Sequence, residues 1–229
     1  MVTALDAKGR PDYEANGRII DYLIRGGVDG ILILGSMGEF TEFTTEERSD
    51  YLTFCVHHTA GRVELYAGTG SMRFEDTISI TNKACSLGYS ASLVIGPYYY
   101  GIDQDELFTY YNRIAHLVDG QLYVYNFPAR TGHCIAPETF RSLCEKNENI
   151  CGIKDSVLEP GHTRDIAFIA STLDRKIDVH SGFDDQFVNN QSFQGSGGIG
   201  GLSNVVPEIW HDLVACANAG DYEGMLKCQ

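Results

Sequence analysis

Six lysines occur in the chain, and one stands apart from the rest. Lys8, Lys83, Lys146, Lys176 and Lys227 fall in loops or helical stretches, whereas Lys154 ends the apolar run Ile150-Cys151-Gly152-Ile153. An amine held at a strand end away from water is disfavoured as the ammonium, and a neutral amine attacks a carbonyl carbon. Such a lysine has a second ordinary fate, reaching back to solvent or pairing with an acid. Tyr99 and Tyr125 stand at comparable strand ends, and Ser36 follows the run Ile31-Leu32-Ile33-Leu34-Gly35. A chain of hydroxyls can move protons to and from a carbinolamine without a metal. The tyrosines also read as an aromatic packing patch over Tyr98–Tyr100, for example at a subunit contact.

Other candidates carry less information. Gly35-Ser36-Met37-Gly38 offers backbone N–H groups that suit a carboxylate, or is a turn whose glycines serve geometry alone. Arg130 could clamp a second carboxylate in bidentate fashion, or lie on the surface. Gly195–Gly201 resembles a barrel phosphate loop, but lacks the Gly-Lys-Ser/Thr of a P-loop and the acidic partner of a dinucleotide fingerprint. His133 and His180 lie near strand ends without a third ligand, and His57-His58 are adjacent, so no metal set is expected. Seven cysteines without a Cys-x-x-Cys read as reduced thiols packed as small hydrophobes.

The elements that would position these groups follow from periodicity. Short apolar runs at Val2–Leu5, Gly30–Leu34, Glu64–Ala67, Ser92–Ile95, Leu122–Tyr125, Ile150–Ile153, Ile177–His180 and Gly197–Gly200 read as strands. Amphipathic or capped stretches lie between them: Asp12–Arg25, Thr44–Thr59, Phe74–Leu87, Asp103–Leu117, Ala136–Glu145, His162–Leu173 and Pro207–Ala219, with a weaker one at Asp185–Gln194. Eight strand–helix units predict an α/β chain folded as one (β/α)8 TIM barrel, with active-site residues at the C-terminal strand ends. The barrel is expected over residues 1–220, and residues 221–229 read as the start of a C-terminal helical extension.

A chain of 229 residues with 43% hydrophobic and 21% charged residues is ordinary for one globular core. Its net charge of −14 argues against nucleic-acid or membrane-surface roles. No apolar run approaches the roughly 20 residues of a membrane span, and no signal peptide is evident, so a cytoplasmic protein is expected.

At these residues the chain resembles the family of dihydrodipicolinate synthase and N-acetylneuraminate lyase, the class I pyruvate-dependent aldolases. The likeness rests on GSMGEF at 35–40, AGTGS at 67–71, GPYYY at 96–100, YNFPARTG at 125–132, GIKDS at 152–156 and SGFDD at 181–185. It implies that Lys154 is the Schiff-base lysine for pyruvate, Tyr125 the proton relay, and Ser36 the hydroxyl linking Tyr125 to Tyr99, which in the synthases reaches a neighbouring subunit's site. It further implies a pyruvate carboxylate cradle at Ser36 and Met37, pocket backbone at Gly182 and Ile199, and Arg130 on the carboxylate of aspartate semialdehyde. No cofactor beyond the covalent adduct is implied. The implied partners are small-molecule substrates and further copies of the chain, as a dimer or tetramer.

Three departures bear on the aldehyde. Met37 stands where synthases usually carry a second Thr, Met72 where lysine-inhibited synthases carry Asn, and SGFDD is one residue longer than the common SGDD. The resemblance therefore implies a dihydrodipicolinate-synthase-like enzyme of lysine biosynthesis. The alternatives are a sialic-acid or 2-keto-3-deoxy sugar-acid aldolase and, in another class, a non-catalytic binding barrel.

Overall fold

The computed structural model describes residues 1–229. Seven strands form one curled parallel sheet in sequential order: β1 (Gly30–Ile33), β2 (Glu64–Gly68), β3 (Ala91–Ile95), β4 (Leu122–Asn126), β5 (Ile150–Asp155), β6 (Asp178–Ser181) and β7 (Gly197–Gly198). Helices α1 (Tyr13–Arg25), α2 (Thr45–Thr59), α3 (Phe74–Ser86) and α4 (Gln104–Leu117) precede or connect the first four strands. They are followed by α5 (Pro128–Thr131), α6 (Pro137–Lys146), α7 (Pro160–Ser171), α8 (Phe187–Ser192), α9 (Pro207–Ala219) and α10 (Tyr222–Cys228). The caps are local in origin. Thr44 accepts the Glu47 N–H at 3.2 Å while Glu47 accepts the Thr44 N–H at 2.9 Å, a reciprocal capping box that starts α2. Pro207 opens α9, and Gly220, at φ +69°, closes it in the left-handed conformation that glycine adopts without penalty.

Two expectations are corrected. Val2–Leu5 is not a strand. Its N–H groups go to side chains, Val2 to Asn204 Oδ1 at 2.9 Å and Ala4 to Asn16 Oδ1 at 3.0 Å. Its single ladder-type pair is an antiparallel bridge from Leu5 to Pro11. The sheet therefore has seven strands rather than the eight expected. The stretch expected as a helix at Asp185–Gln194 breaks into a short 3-10 turn, Asp184–Gln186, and the six-residue α8.

The core lies in two layers. Outside the sheet, Val94, Val124, Ile150 and Ile153 pack under α4, α6 and α7, and Ile31, Ile33 and Leu65 pack under α1 and α2. Inside it, Leu32, Ala91, Leu93 and Tyr123 form a smaller cluster with Cys151 and Ile199 against them. The β4–β5 ladder carries a bulge: Leu122 pairs with Ile150, but Tyr123 pairs with Gly152, so Cys151 is extra. A Cβ on Gly152 would stand 2.8 Å from the Tyr123 ring and 2.8 Å from the Asp178 carbonyl oxygen. A cavity of about 260 Å³ opens between the edges of β1 and β7 and is lined by Ile31, Tyr66, His180 and Trp210 among others. Met1, also buried there, donates from its amino group to the Leu32 carbonyl.

At the end of β1, Leu34 adopts φ +58°, unusual for a side chain that is wholly buried. Gly68 makes that turn possible, because a Cβ at position 68 would lie 2.1 Å from the Leu34 carbonyl oxygen. Gly68→Ala is accordingly expected to cost about 1–3 kcal/mol by overpacking. For a chain of this size that lowers the melting midpoint by roughly 2–4 °C per kcal/mol. A melting midpoint equal to that of the parent would show that the turn yields freely.

Candidate active site

Lys154 is the fifth residue of β5 and lies buried in the barrel mouth, 7% exposed. Its register partner across the ladder is Tyr125 of β4, and its Nζ stands 4.5 Å from the centroid of the Tyr125 ring. The Tyr125 hydroxyl lies 3.3 Å from Ser36 Oγ. Ser36 belongs to a turn held between two residues of positive φ, Leu34 (+58°) and Glu39 (+54°). The first bond of that turn runs from the Gly38 N–H to the Gly35 carbonyl at 2.9 Å, so the Ser36 and Met37 N–H groups are free of bonds within the turn. The structure thus brings Lys154, Tyr125 and Ser36 together, the lysine over the phenol ring and the phenol hydroxyl beside the serine.

The remaining candidates fall around that group. Gly182 follows β6 and donates its N–H to the Asp155 carbonyl at 2.8 Å, and a Cβ there would stand 1.9 Å from Ser156 Oγ. Ile199 donates its N–H to the Ser181 carbonyl and packs in the inner cluster. Met37 is half exposed at the mouth. Arg130, in α5, is exposed with its guanidinium 5.8 Å from the Phe127 ring centroid. Tyr99 is not brought to Lys154: it is 79% exposed, with its ring edge-on to Tyr100 at 5.1 Å.

Residues that drew no role from sequence support this arrangement. On the outer face of the sheet, beside Lys154, the buried Asp155 carboxylate accepts from Asn126 Nδ2 (2.7 Å), His162 Nδ1 (2.9 Å) and Thr163 Oγ1 (2.6 Å). Asn126 follows Tyr125, so this bond ties together the two strands that carry the lysine and the tyrosine. Burial alone would pull the His162 pKa down, but hydrogen bonds to Asp155 and Cys134 and the Asp155 charge push it up to about 11. Inside the barrel, His180 pairs in register with Lys154. Burial, reinforced by the Lys176 and Lys154 charges, pulls its pKa down to about 4 against the opposing pull of Asp178. Phe127 stacks on Tyr125 at 5.8 Å and meets Phe183 edge-on at 5.8 Å, giving the mouth an aromatic wall. Asp184, from SGFDD, is occupied in holding the Gly201 and Leu202 N–H groups at 3.0 Å.

The profile of the Dihydrodipicolinate synthetase family matches residues 1–229. The chain belongs to that family. It is 35% identical over 229 residues to a 4-hydroxy-tetrahydrodipicolinate synthase of Lachnoclostridium phytofermentans, covering all of this chain and 77% of that protein. It is 32% identical over 219 residues to the putative 2-dehydro-3-deoxy-D-gluconate aldolase YagE of Escherichia coli K12, covering 96% of this chain and 72% of that one. Among solved structures, YagE in complex with pyruvate superposes with a TM-score of 0.95 at 31% identity, covering 99% of this chain and 76% of that one. The dihydrodipicolinate synthase of Aquifex aeolicus superposes with a TM-score of 0.94 at 30% identity, covering 100% and 76%. The chain is accordingly an enzyme of the lyase and aldolase class that this family comprises.

The two histidines make opposite contributions to stability in this family member. His180 is neutral when folded, so below its unfolded pKa of about 6.5 the unfolded chain binds the extra proton, and stability falls as pH drops from 6.5 toward 4. His162 is charged when folded, so its contribution is complete below 6.5 and is lost as pH rises toward 11. Melting curves across pH should show His180→Leu flattening the acid limb by about one proton and His162→Gln flattening the alkaline limb. Profiles parallel to the parent's would refute both assignments.

Proposed function

We propose that this chain is a class I pyruvate aldolase in which Lys154 forms the Schiff base. The observation that carries the reading is the buried Lys154 Nζ set over the Tyr125 ring, with the Tyr125 hydroxyl within reach of Ser36. The Lys154 nitrogen adds to C2 of pyruvate. Tyr125 protonates the departing hydroxyl, and water leaves to give an iminium that draws electrons from C3. Loss of a C3 proton gives an enamine, whose C3 attacks an aldehyde carbon, and water then releases Lys154. The Ser36 and Met37 N–H groups bind the pyruvate carboxylate, and Gly182 and Ile199 supply backbone beside the adduct. No cofactor is required beyond that adduct.

The aldehyde in our reading is aspartate semialdehyde, its carboxylate held by Arg130, whose exposed guanidinium forms no ion pair in the chain. This makes the enzyme a 4-hydroxy-tetrahydrodipicolinate synthase of lysine biosynthesis. A second reading, a 2-keto-3-deoxy sugar-acid aldolase, is favoured by Met37, which puts a thioether rather than a hydroxyl at the mouth, and by the likeness to YagE. We further infer a (β/α)8 barrel whose remaining strand position is the gap between β1 and β7, with α10 as the start of a helical extension. The enzyme is read as cytoplasmic and homo-oligomeric, with the exposed Tyr99 and Tyr100 at a subunit contact that delivers Tyr99 to a neighbouring Ser36. No helix is long and apolar enough to cross a membrane.

Borohydride reduction in the presence of pyruvate should leave a stable adduct on Lys154, located by peptide mass spectrometry, and none in Lys154→Ala. Tyr125→Phe should lower turnover by about 100-fold or more, the usual scale for a positioned proton donor. Absence of the adduct on folded protein would overturn the mechanism. Turnover with aspartate semialdehyde against cleavage of 2-keto-3-deoxygluconate then decides between the two aldehydes.

A further inference from the structure

On the outer face of the sheet, away from the barrel mouth, a sulfur, an imidazole and a carboxylate stand in line. His162 Nδ1 lies 2.9 Å from Asp155 Oδ2, and His162 Nε2 lies 2.9 Å from the Ile135 carbonyl and 3.5 Å from Cys134 Sγ. A carboxylate and a carbonyl can only accept, so each ring nitrogen must carry a hydrogen, and His162 is an imidazolium. Its Nε2–H is shared between the Ile135 oxygen and the sulfur. Asn126 Nδ2 approaches the same sulfur at 3.5 Å, and its orientation is fixed because Asn126 Oδ1 accepts the Ile135 N–H at 3.1 Å. Two N–H donors, one of them charged, therefore converge on Cys134 Sγ. Negative charge that develops on the sulfur as it attacks an electrophile is offset by the imidazolium beside it.

None of the other six cysteines has such a setting. Burial pushes the Cys55 and Cys144 thiols up to about 12 and the Cys151 thiol up to about 11. Burial and the nearby Cys228 raise Cys216. Cys85 and Cys228 are partly exposed, as Cys134 is, but no side-chain hydrogen bond to a nitrogen reaches their sulfurs.

We propose that Cys134 is a modification site for soft electrophiles and peroxides, activated by the imidazolium of His162 that Asp155 holds in place. With an alkyl halide, sulfur forms the bond to carbon and halide leaves. With a peroxide, sulfur attacks one oxygen and the O–O bond breaks. The cysteine becomes a sulfenic acid, oxidised by two electrons, and the departing hydroxide takes a proton to become water. His162 supplies charge and orientation in this chemistry, while Cys134 is the atom that reacts.

The test is competitive labelling of the full folded chain with limiting iodoacetamide at neutral pH, followed by unfolding, blocking of the remaining thiols and peptide mass spectrometry. Cys134 should be modified about tenfold faster than Cys85. His162→Gln should cut the Cys134 rate about fivefold or more while leaving the Cys85 rate unchanged, which also reports that the variant is folded. A second measurement needs no variant. An imidazolium beside the sulfur favours an anionic reagent, so the iodoacetate-to-iodoacetamide rate ratio should be higher at Cys134 than at Cys85, by about threefold. Brief hydrogen peroxide treatment followed by dimedone should place a dimedone adduct on Cys134. Equal rates at Cys134 and Cys85, or equal reagent ratios at the two, would overturn the proposal.

Discussion

The arrangement of this molecule depends on the parallel ladder between β4 and β5. That ladder sets Tyr125 opposite Lys154 on the inner face and Asn126 opposite Asp155 on the outer one. Strand side chains alternate between faces, so one pairing register decides both contents at once. Inside it produces an amine over a phenol ring. Outside it produces a carboxylate tied across the ladder by the Asn126 amide at 2.7 Å. The outer bond fixes the strands whose inner residues meet, and the register of the inner pair is held from behind.

The same division separates two polar clusters of the chain. The inner face keeps one buried lysine and one neutral histidine among aromatic and aliphatic side chains. The outer face keeps an imidazolium, a carboxylate and a sulfur beneath α7 and the loop leading into α6. A single sheet thickness separates the Lys154 amine from a sulfur that lies beside the cation.

Much of this was legible in the sequence, and the reasons are particular. Lys154 stood out because it was the one lysine ending an apolar run, and the Ser36 turn because glycines bracketed it. The helix limits followed from Thr44, Asp12, Pro207 and Gly220, whose cap chemistry is local. Val2–Leu5 was misread because its apolar pattern is local, whereas the acceptors that capture its N–H groups, Asn16 and Asn204, lie 12 and 202 residues away. Similarly, nothing in periodicity links Cys134 to His162, which are 28 residues apart and meet only when α7 packs on the sheet. The position of Tyr99 off the site of its own chain follows from its exposed loop, which no strand-end rule describes.

The bulge at Cys151 carries a consequence for which side chain faces the barrel mouth. Counted in steps of two from Ile150, which faces the helices, residue 154 falls on the helix-facing side and residue 155 on the barrel side. The extra residue reverses that parity: Ile153 packs outward with Ile150, and Lys154 turns inward. Straightening the strand with Cys151 retained would therefore exchange an amine for a carboxylate in the barrel mouth without altering a side chain at either position, whereas deleting Cys151 would leave Lys154 opposite Tyr125. Which side chain faces the mouth rests on one irregular step in the ladder as much as on the presence of a lysine.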